Sequence, residues 1–351
     1  MMKRTLTKKK IQQTRRLLIR STNWIGDAIM TTPAVRAIRK NFFNARISIL
    51  AKPWVAPVFE HSPRVDEIIV YDAKGRHKGI RGIARLSREL KPMGFDAAIL
   101  LQNAIEAAII PFLAGIKTRI GFDTDARRLL LTHPVSCTKK IKSIHQTGYY
   151  LEMLKGAGLF DDTGKLELFL GETDRNAAEK ILKKNGILPV EQVVGINPSA
   201  TFGPAKQWFP EKYAALADKM IETLGVKIII FGGPLDRDLG KSIVGMMRNR
   251  AVDLCGRTRL GVAMALIDRC RAFVTNDSGL MHVAAALDTP LVAVFGSTNH
   301  KTTSPWSEKS RIVRVPVECS PCMKMVCPLG HMQCMKKVSV DMVLGAVKDV
   351  M

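Results

Sequence analysis

The sequence is poor in several things, and each shortage excludes a class of protein. No run of about 18 or more apolar residues occurs, so no helical membrane span is expected. The N-terminal stretch MMKRTLTKKKIQQTRR is basic but has no apolar segment of the kind a secretory signal needs. The chain is therefore expected to be cytoplasmic. Acid is scarce, with 31 Asp and Glu against 54 Lys and Arg and a formal net charge of +23. Seven Lys and Arg precede the first acid within those opening sixteen residues, and that acid is Asp27. Such a balance points to an acidic partner: nucleic acid, an anionic membrane surface, or a phosphorylated or carboxylated substrate. A solvated basic surface without a partner is the plainer alternative. Aromatic residues are only 6% of the chain and no nucleic-acid module is recognisable, so no nucleic-acid partner is expected.

Two nucleotide signatures are also missing. GPLDRDLGKS has Leu235 where GxxxxGK[ST] requires glycine, so it is no P-loop. The first strand is not followed by GxGxxG, which argues against a nicotinamide or flavin site. The triplets Asp123-Thr124-Asp125 and Asp236-Arg237-Asp238 arise too easily by chance to be assigned a metal.

What is present is regular. At 351 residues and 46% hydrophobic content, the chain has material for two cores. Short β-branched runs alternate with helical patterns, the signature of βαβ units and parallel sheets. Strands are expected at 16–21, 46–51, 66–72 and 95–102, and again at 193–199, 226–233, 251–256, 272–277 and 290–296. Helices are expected at 28–42, 106–114 and from Pro210 to the stop at Gly225, among others. The fold class is α/β: two Rossmann-like, doubly wound domains facing each other across a cleft. The expected organisation is a basic tail over 1–15, a first domain over 16–165, a linker near 160–175, a second domain over 175–335, and a last helix over 338–351 that could cross back to the first domain.

Ligands of such sheets bind beyond the carboxyl ends of the strands, and three motifs fall there. STNWIGDAIMTTPAVRAIR places Asp27 after the first strand, as a general base at the cleft mouth or as a helix cap. NPSATFGPAKQWFPEKYAAL follows the first strand of the second half. Its Gly–Pro loop, Lys206 and the next helix make a diphosphate cradle, with Thr201 as a further donor, unless the loop is merely solvated. NDSGLMHVAAALDTPLVAVFGST turns at Asp277, Ser278 and Gly279 into a helix carrying His282; the alternatives are an anion pocket and a structural histidine.

Near the C-terminus, CSPCMKMVCPLGHMQC gathers Cys319, Cys322, Cys327, His331 and Cys334. In a cytoplasmic chain these are thiols or metal ligands before disulfides. The spacing is compatible with tetrahedral zinc, though not one of the usual two-pair patterns. A metal-free, redox-sensitive or acceptor-facing loop stands as the alternative. Cys137, Cys255 and Cys270 are scattered and expected to be buried small residues.

Together the three motifs resemble the ADP-heptose–lipopolysaccharide heptosyltransferases, over most of the chain from Arg16 to the last helix. GPAKQW and the cysteine-rich tail bring the resemblance nearest the heptosyltransferase II branch. The resemblance implies a GT-B fold and inverting transfer of heptose from ADP-heptose to the heptosylated inner core of lipopolysaccharide. It implies Asp27 as catalytic base, and Thr201, Lys206, Asp277, Ser278, Gly279 and His282 in the nucleotide-sugar pocket. No cofactor or metal is required. The acceptor, heptosyl-Kdo-lipid A, is an acidic glycolipid, which fits the positive charge and a peripheral contact with the cytoplasmic face of the inner membrane. Arg119, Arg127 and Arg128 are the acceptor-binding candidates, each with an ordinary surface role as its alternative. Another nucleotide sugar, the first-heptose step, or a basic nucleic-acid-binding protein remain competing readings.

Overall fold

A computed structural model of the chain describes residues 5–160 and 164–351. Met1–Arg4 of the basic tail, and Asp161–Thr163 at the start of the expected linker, lie outside the described residues. The chain divides into two compact units, Met1–Phe169 and Leu170–Met351, so the division falls within the linker stretch.

The first unit is built on a six-stranded parallel sheet: β1 (Arg16–Arg20), β2 (Arg46–Ala51), β3 (Glu67–Val70), β4 (Ala97–Leu100), β5 (Thr118–Phe122) and β6 (His133–Val135). Their order is β3-β2-β1-β4-β5-β6, and the sequence order reverses between β1 and β4. The second unit repeats the plan with β7 (Val193–Asn197), β8 (Lys227–Ile230), β9 (Val252–Asp253), β10 (Ala272–Asn276), β11 (Leu291–Val294) and β12 (Ser310–Val313). Here the order is β12-β11-β10-β7-β8-β9, with the switch between β7 and β10. Both are the doubly wound arrangement that opens a ligand crevice at the switch point. Central strands are buried on both faces and so read as unbroken apolar runs, such as Leu17-Leu18-Ile19, each wholly inaccessible.

The expected strands form, with ends trimmed. β5, β6 and β12 were not foreseen. β6 and β12 are short edge strands, and β5 carries Arg119 and Gly121, so none shows a long apolar run. The helix expected over 28–42 is two helices, Ile25–Met30 and Thr32–Asn41. Pro33 has no N–H for the carbonyl of Ile29, and the Thr32 hydroxyl takes that acceptor at 2.8 Å while Thr31 bonds Ala28 O at 2.6 Å. The helix Pro210–Leu224 begins at its proline and ends on Gly225 at φ 66°. The last helix, Val340–Val350, does not leave its unit: it packs on Pro210–Leu224 and on β10–β12. The tail is partly ordered, since Leu6 is buried, its N–H reaches Ala157 O at 2.9 Å, and Lys8–Gln13 is helical.

Packing around β7 is tight. A Cβ on Gly195 would lie 2.6 Å from the buried Phe273 ring and 3.0 Å from that of Phe231. Gly195→Ala is therefore expected to cost about 1–3 kcal/mol by overpacking. Gly245→Ala, in the helix Arg237–Met246 with nothing within 4 Å of its Cβ position, should be neutral or stabilising by up to about 1 kcal/mol. Urea denaturation of both variants checks the contrast; equal midpoints would contradict it.

Candidate active site

In the second unit, two loops meet at the β7–β10 switch. Lys206 ends the loop after β7, and its ammonium lies 2.7 Å from a carboxylate oxygen of Asp277, which follows β10. The pair is largely withdrawn from water, at 15% and 6% side-chain exposure, and the Phe202 ring lies 4.9 Å from the ammonium. Asn276 fastens the same two segments. Its Oδ1 accepts from Trp208 N–H and from the Tyr213 hydroxyl, both at 3.0 Å, and its Nδ2 donates to Pro198 O at 2.7 Å. Asn197 closes the bottom of the crevice by donating to Ser278 Oγ at 2.8 Å and Thr275 Oγ1 at 3.1 Å. Ser278 caps the helix Gly279–Ala286, leaving its first amides at the crevice end of the sheet.

Of the residues singled out in this unit, Lys206, Asp277, Ser278 and Gly279 come together. Thr201 stands on the same loop and is exposed. His282 lies in the first turn of the helix after Ser278 but is buried, at 3% exposure. Asp236 is engaged within the unit, accepting from the Ser199 hydroxyl and the Gly233 amide, each at 2.7 Å. Asn197 and Asn276 were missed. Their signal was a polar residue ending an otherwise apolar strand, which strand periodicity alone treats as a boundary.

In the first unit, Asp27 occupies the first turn of Ile25–Met30, just past the β1 end. The cap position there is Trp24, which makes no side-chain capping bond, so Asp27 is not the cap. Its carboxylate is half-buried and close enough to Tyr150 to help hold that phenol protonated well above the usual range, burial being the larger cause. The loop leading to Asp27 is pinned by Asn23, whose Oδ1 accepts from the wholly buried Arg20 at 2.8 Å and whose carbonyl accepts from Trp54 Nε1 at 2.8 Å.

A charged cluster unremarked in the sequence lies at these strand ends. Arg20, Lys52, Tyr71 and Glu106 follow or end β1, β2, β3 and β4. Glu106 Oε1 is 3.9 Å from both Arg20 and Lys52, and the Lys52 ammonium sits 3.4 Å from the centre of the Tyr71 ring. Arg20 and Lys52 thus share Glu106, and the Asp72 carboxylate also acts on Lys52, so opposite charges are gathered at the switch end of the sheet.

Two of the three arginines expected to meet an acidic acceptor, Arg119 and Arg127, need correction. Arg127 is wholly buried, donating to Phe122 O at 2.7 Å, to Gln102 O, and to Asn103 Oδ1 at 3.0 Å. Burial lowers its pKa to about 10. Arg119 donates to Leu130 O at 2.5 Å and to Ile116 O, beside the Phe112 ring. Both guanidinium groups hold β5 and its following loop to neighbouring backbone, because carbonyls left without partners inside a fold are costly. Arg128 is partly exposed and pairs with Asp123 at 2.9 Å.

Among the described residues, no three or more His, Cys, Asp or Glu side chains stand as a ready metal set, and no helix is long and apolar enough to cross a membrane.

Two Rossmann-type sheets, one with a carboxylate at its switch end and the other with a lysine-bearing glycine loop and helix amides, define the GT-B class of glycosyltransferases. Residues 83–333 match Glycosyltransferase family 9 (heptosyltransferase). The chain belongs to this family. It is 33% identical to the lipooligosaccharide heptosyltransferase 2 of Haemophilus influenzae, over 85% of this chain and 88% of that one. Among solved structures, the family 9 glycosyl transferase from Veillonella parvula superposes with a TM-score of 0.87 at 27% identity, covering 96% of this chain and 97% of that one. Escherichia coli ADP-heptose lps heptosyltransferase II gives 0.77 at 28% identity, covering 95% and 98%.

The charged cluster makes one group titrate unusually. Burial, and then the Arg20 charge, bring the Lys52 pKa down to about 8 against the pull of Glu106. Unfolded lysine binds its proton up to about 10.4. Between these values the unfolded chain holds more protons, so this group makes stability rise with pH across about 8 to 10.4. Carbon-13 NMR of labelled lysines should show one resonance titrating near 8, absent in Lys52→Met. A Lys52 midpoint in the ordinary lysine range would contradict the cluster.

Proposed function

We propose that the enzyme transfers heptose from ADP-heptose to the heptosylated inner core of lipopolysaccharide, the heptosyltransferase II step, with inversion at the anomeric carbon. The observation that carries the donor half is the Lys206–Asp277 pair set beside the helix amides at the β7–β10 switch. The relatives named heptosyltransferase 2 or II, matched over most of their length, support the choice of sugar and step.

In this reading the second unit binds the donor. Lys206 and the amides at Gly279 meet the diphosphate, and Asp277 holds the ammonium in place. Ser278 and Thr201 supply hydroxyl donors, and buried His282 shapes the wall behind them. As the glycosidic bond to ADP breaks, charge grows on the leaving phosphate. Fixed donors already aimed there stabilise it without reorganising. No step calls on a metal.

The first unit binds the acceptor. Asp27 takes the proton from the attacking heptose hydroxyl as the new bond forms. Arg20 and Trp54, through Asn23, keep its loop in position. The Lys52 ammonium, with the Arg128 guanidinium, suits the carboxylates and phosphates of a Kdo–lipid A acceptor. Arg119 and Arg127 serve the fold. Exposed Lys8, Lys9 and Lys10 suit the anionic surface in which such an acceptor is embedded, and fit a cytoplasmic enzyme meeting the inner membrane peripherally.

The test is ADP release from ADP-heptose with heptosyl-Kdo-lipid A, run beside acceptor lacking the first heptose and beside UDP-glucose. Turnover is expected only with ADP-heptose and the heptosylated acceptor. Asp27→Asn should lower kcat about 100- to 10,000-fold while leaving the melting temperature unchanged. Transfer to acceptor lacking the first heptose alone would move the enzyme to the earlier step, and full activity of Asp27→Asn would remove it as the base.

A further inference from the structure

The C-terminal cysteines are not used by the reaction above, yet they are gathered. Cys319, Cys322, Cys327 and Cys334 are all free thiols, and all line one cavity of about 20 Å³ together with His331 and Ala205. That volume admits about one atom-sized guest. No lysine or arginine lines the cavity, so no cationic side chain stands where a metal ion would bind. His331 already accepts from Gln333 N–H at 3.0 Å through Nδ1, which leaves the four sulfurs as the principal donor set.

The segment bearing these thiols also props the loop of Lys206. Ala205 N–H donates to Met325 O at 3.0 Å, and a Cβ on Gly203 (φ 154°) would stand 2.5 Å from the same oxygen. On the other side, Ser320 Oγ donates to Gly296 O at 2.6 Å and Met323 N–H to Ser297 O at 2.8 Å, just past β11. The thiol segment thus ties the end of β11 to the GPAK loop.

We propose that Cys319, Cys322, Cys327 and Cys334 bind one soft divalent cation, zinc or ferrous iron, as a tetrathiolate that braces the Lys206 loop. The sulfurs share the cavity but do not yet converge. Binding requires the four side chains to turn toward one another, to the roughly 2.3 Å of a zinc–sulfur bond. Four thiols lose four protons as four metal–sulfur bonds form, and the metal keeps its oxidation state, so no oxidant or reductant is required. A closed tetrathiolate leaves no open coordination position, which makes the site structural and separates it from the transfer chemistry.

The experiment is metal analysis of the full-length chain purified without chelator, followed by cobalt(II) titration of the metal-stripped protein. About one equivalent of zinc or iron per chain is expected. Cobalt should saturate at one equivalent with intense sulfur-to-cobalt charge-transfer absorption and the visible bands of a tetrahedral site. Cys322→Ser and Cys327→Ser should lose the metal, and Cys137→Ser, altered in the other unit, should keep it. Because the cobalt spectrum is read on the unaltered chain, misfolding of a variant does not remove the test. Zinc rather than iron, or the reverse, identifies the occupant. The proposal is overturned if no metal is found and cobalt gives no charge-transfer band, or if the as-purified chain is two mass units light through a disulfide within the cluster.

Discussion

The candidate donor site depends on the ion pair of Lys206 and Asp277. Neither residue belongs to a regular strand; each stands on a loop at the carboxyl end of a neighbouring strand, β7 or β10. Joining them fixes the distance between the two loops that border the switch crevice. A pair this far from water is not a large source of stability, since desolvation offsets much of the attraction, but it is costly to break from one side. Its value lies in geometry. Asn276 at the end of β10 and Asn197 at the end of β7 repeat the constraint with neutral hydrogen bonds to the same segments, so the loop backbone is held without a ligand.

The first unit uses the same architecture with different chemistry. Its switch lies between β1 and β4, and the residues at the strand ends are Arg20, Lys52, Tyr71 and Glu106 rather than a glycine loop. A buried arginine beside a buried lysine is unfavourable unless shared acceptors compensate, and Glu106 with the Ser21 and Asn23 oxygens does so only in part. Lys52 consequently holds its proton weakly. Charged side chains at the end of one sheet and helix amides with a lysine loop at the end of the other give the two units different chemistry from one repeated fold.

Much of this was legible in the sequence because parallel strands buried on both faces write themselves as apolar runs. Nine of the strands, the switch-point loops and the Pro210–Gly225 helix could be placed that way. What stayed hidden depended on tertiary partners. β5, β6 and β12 lack apolar runs. The break at Thr31 follows from a proline whose missing donor is replaced by a hydroxyl, which periodicity averages away. Arg119 and Arg127 looked like surface cations because charge is usually solvated. Only the fold shows that carbonyls of Ile116, Leu130, Gln102 and Phe122 surround them. Conversely Lys52 sits next to a strand like any boundary residue, and its burial against Tyr71 comes from β2–β3 pairing that no local pattern reveals.

The central claim is that the Lys206 loop and the Gly279 amides hold a nucleotide diphosphate. Calorimetric titration of ADP into the unaltered chain and into Lys206→Ala addresses it without need of acceptor or turnover. Loss of a charge-assisted contact worth about 1.5–3 kcal/mol predicts affinity roughly 10- to 100-fold weaker in the variant. Equal affinity in the two proteins, with both still folded, would place the diphosphate elsewhere and contradict the account.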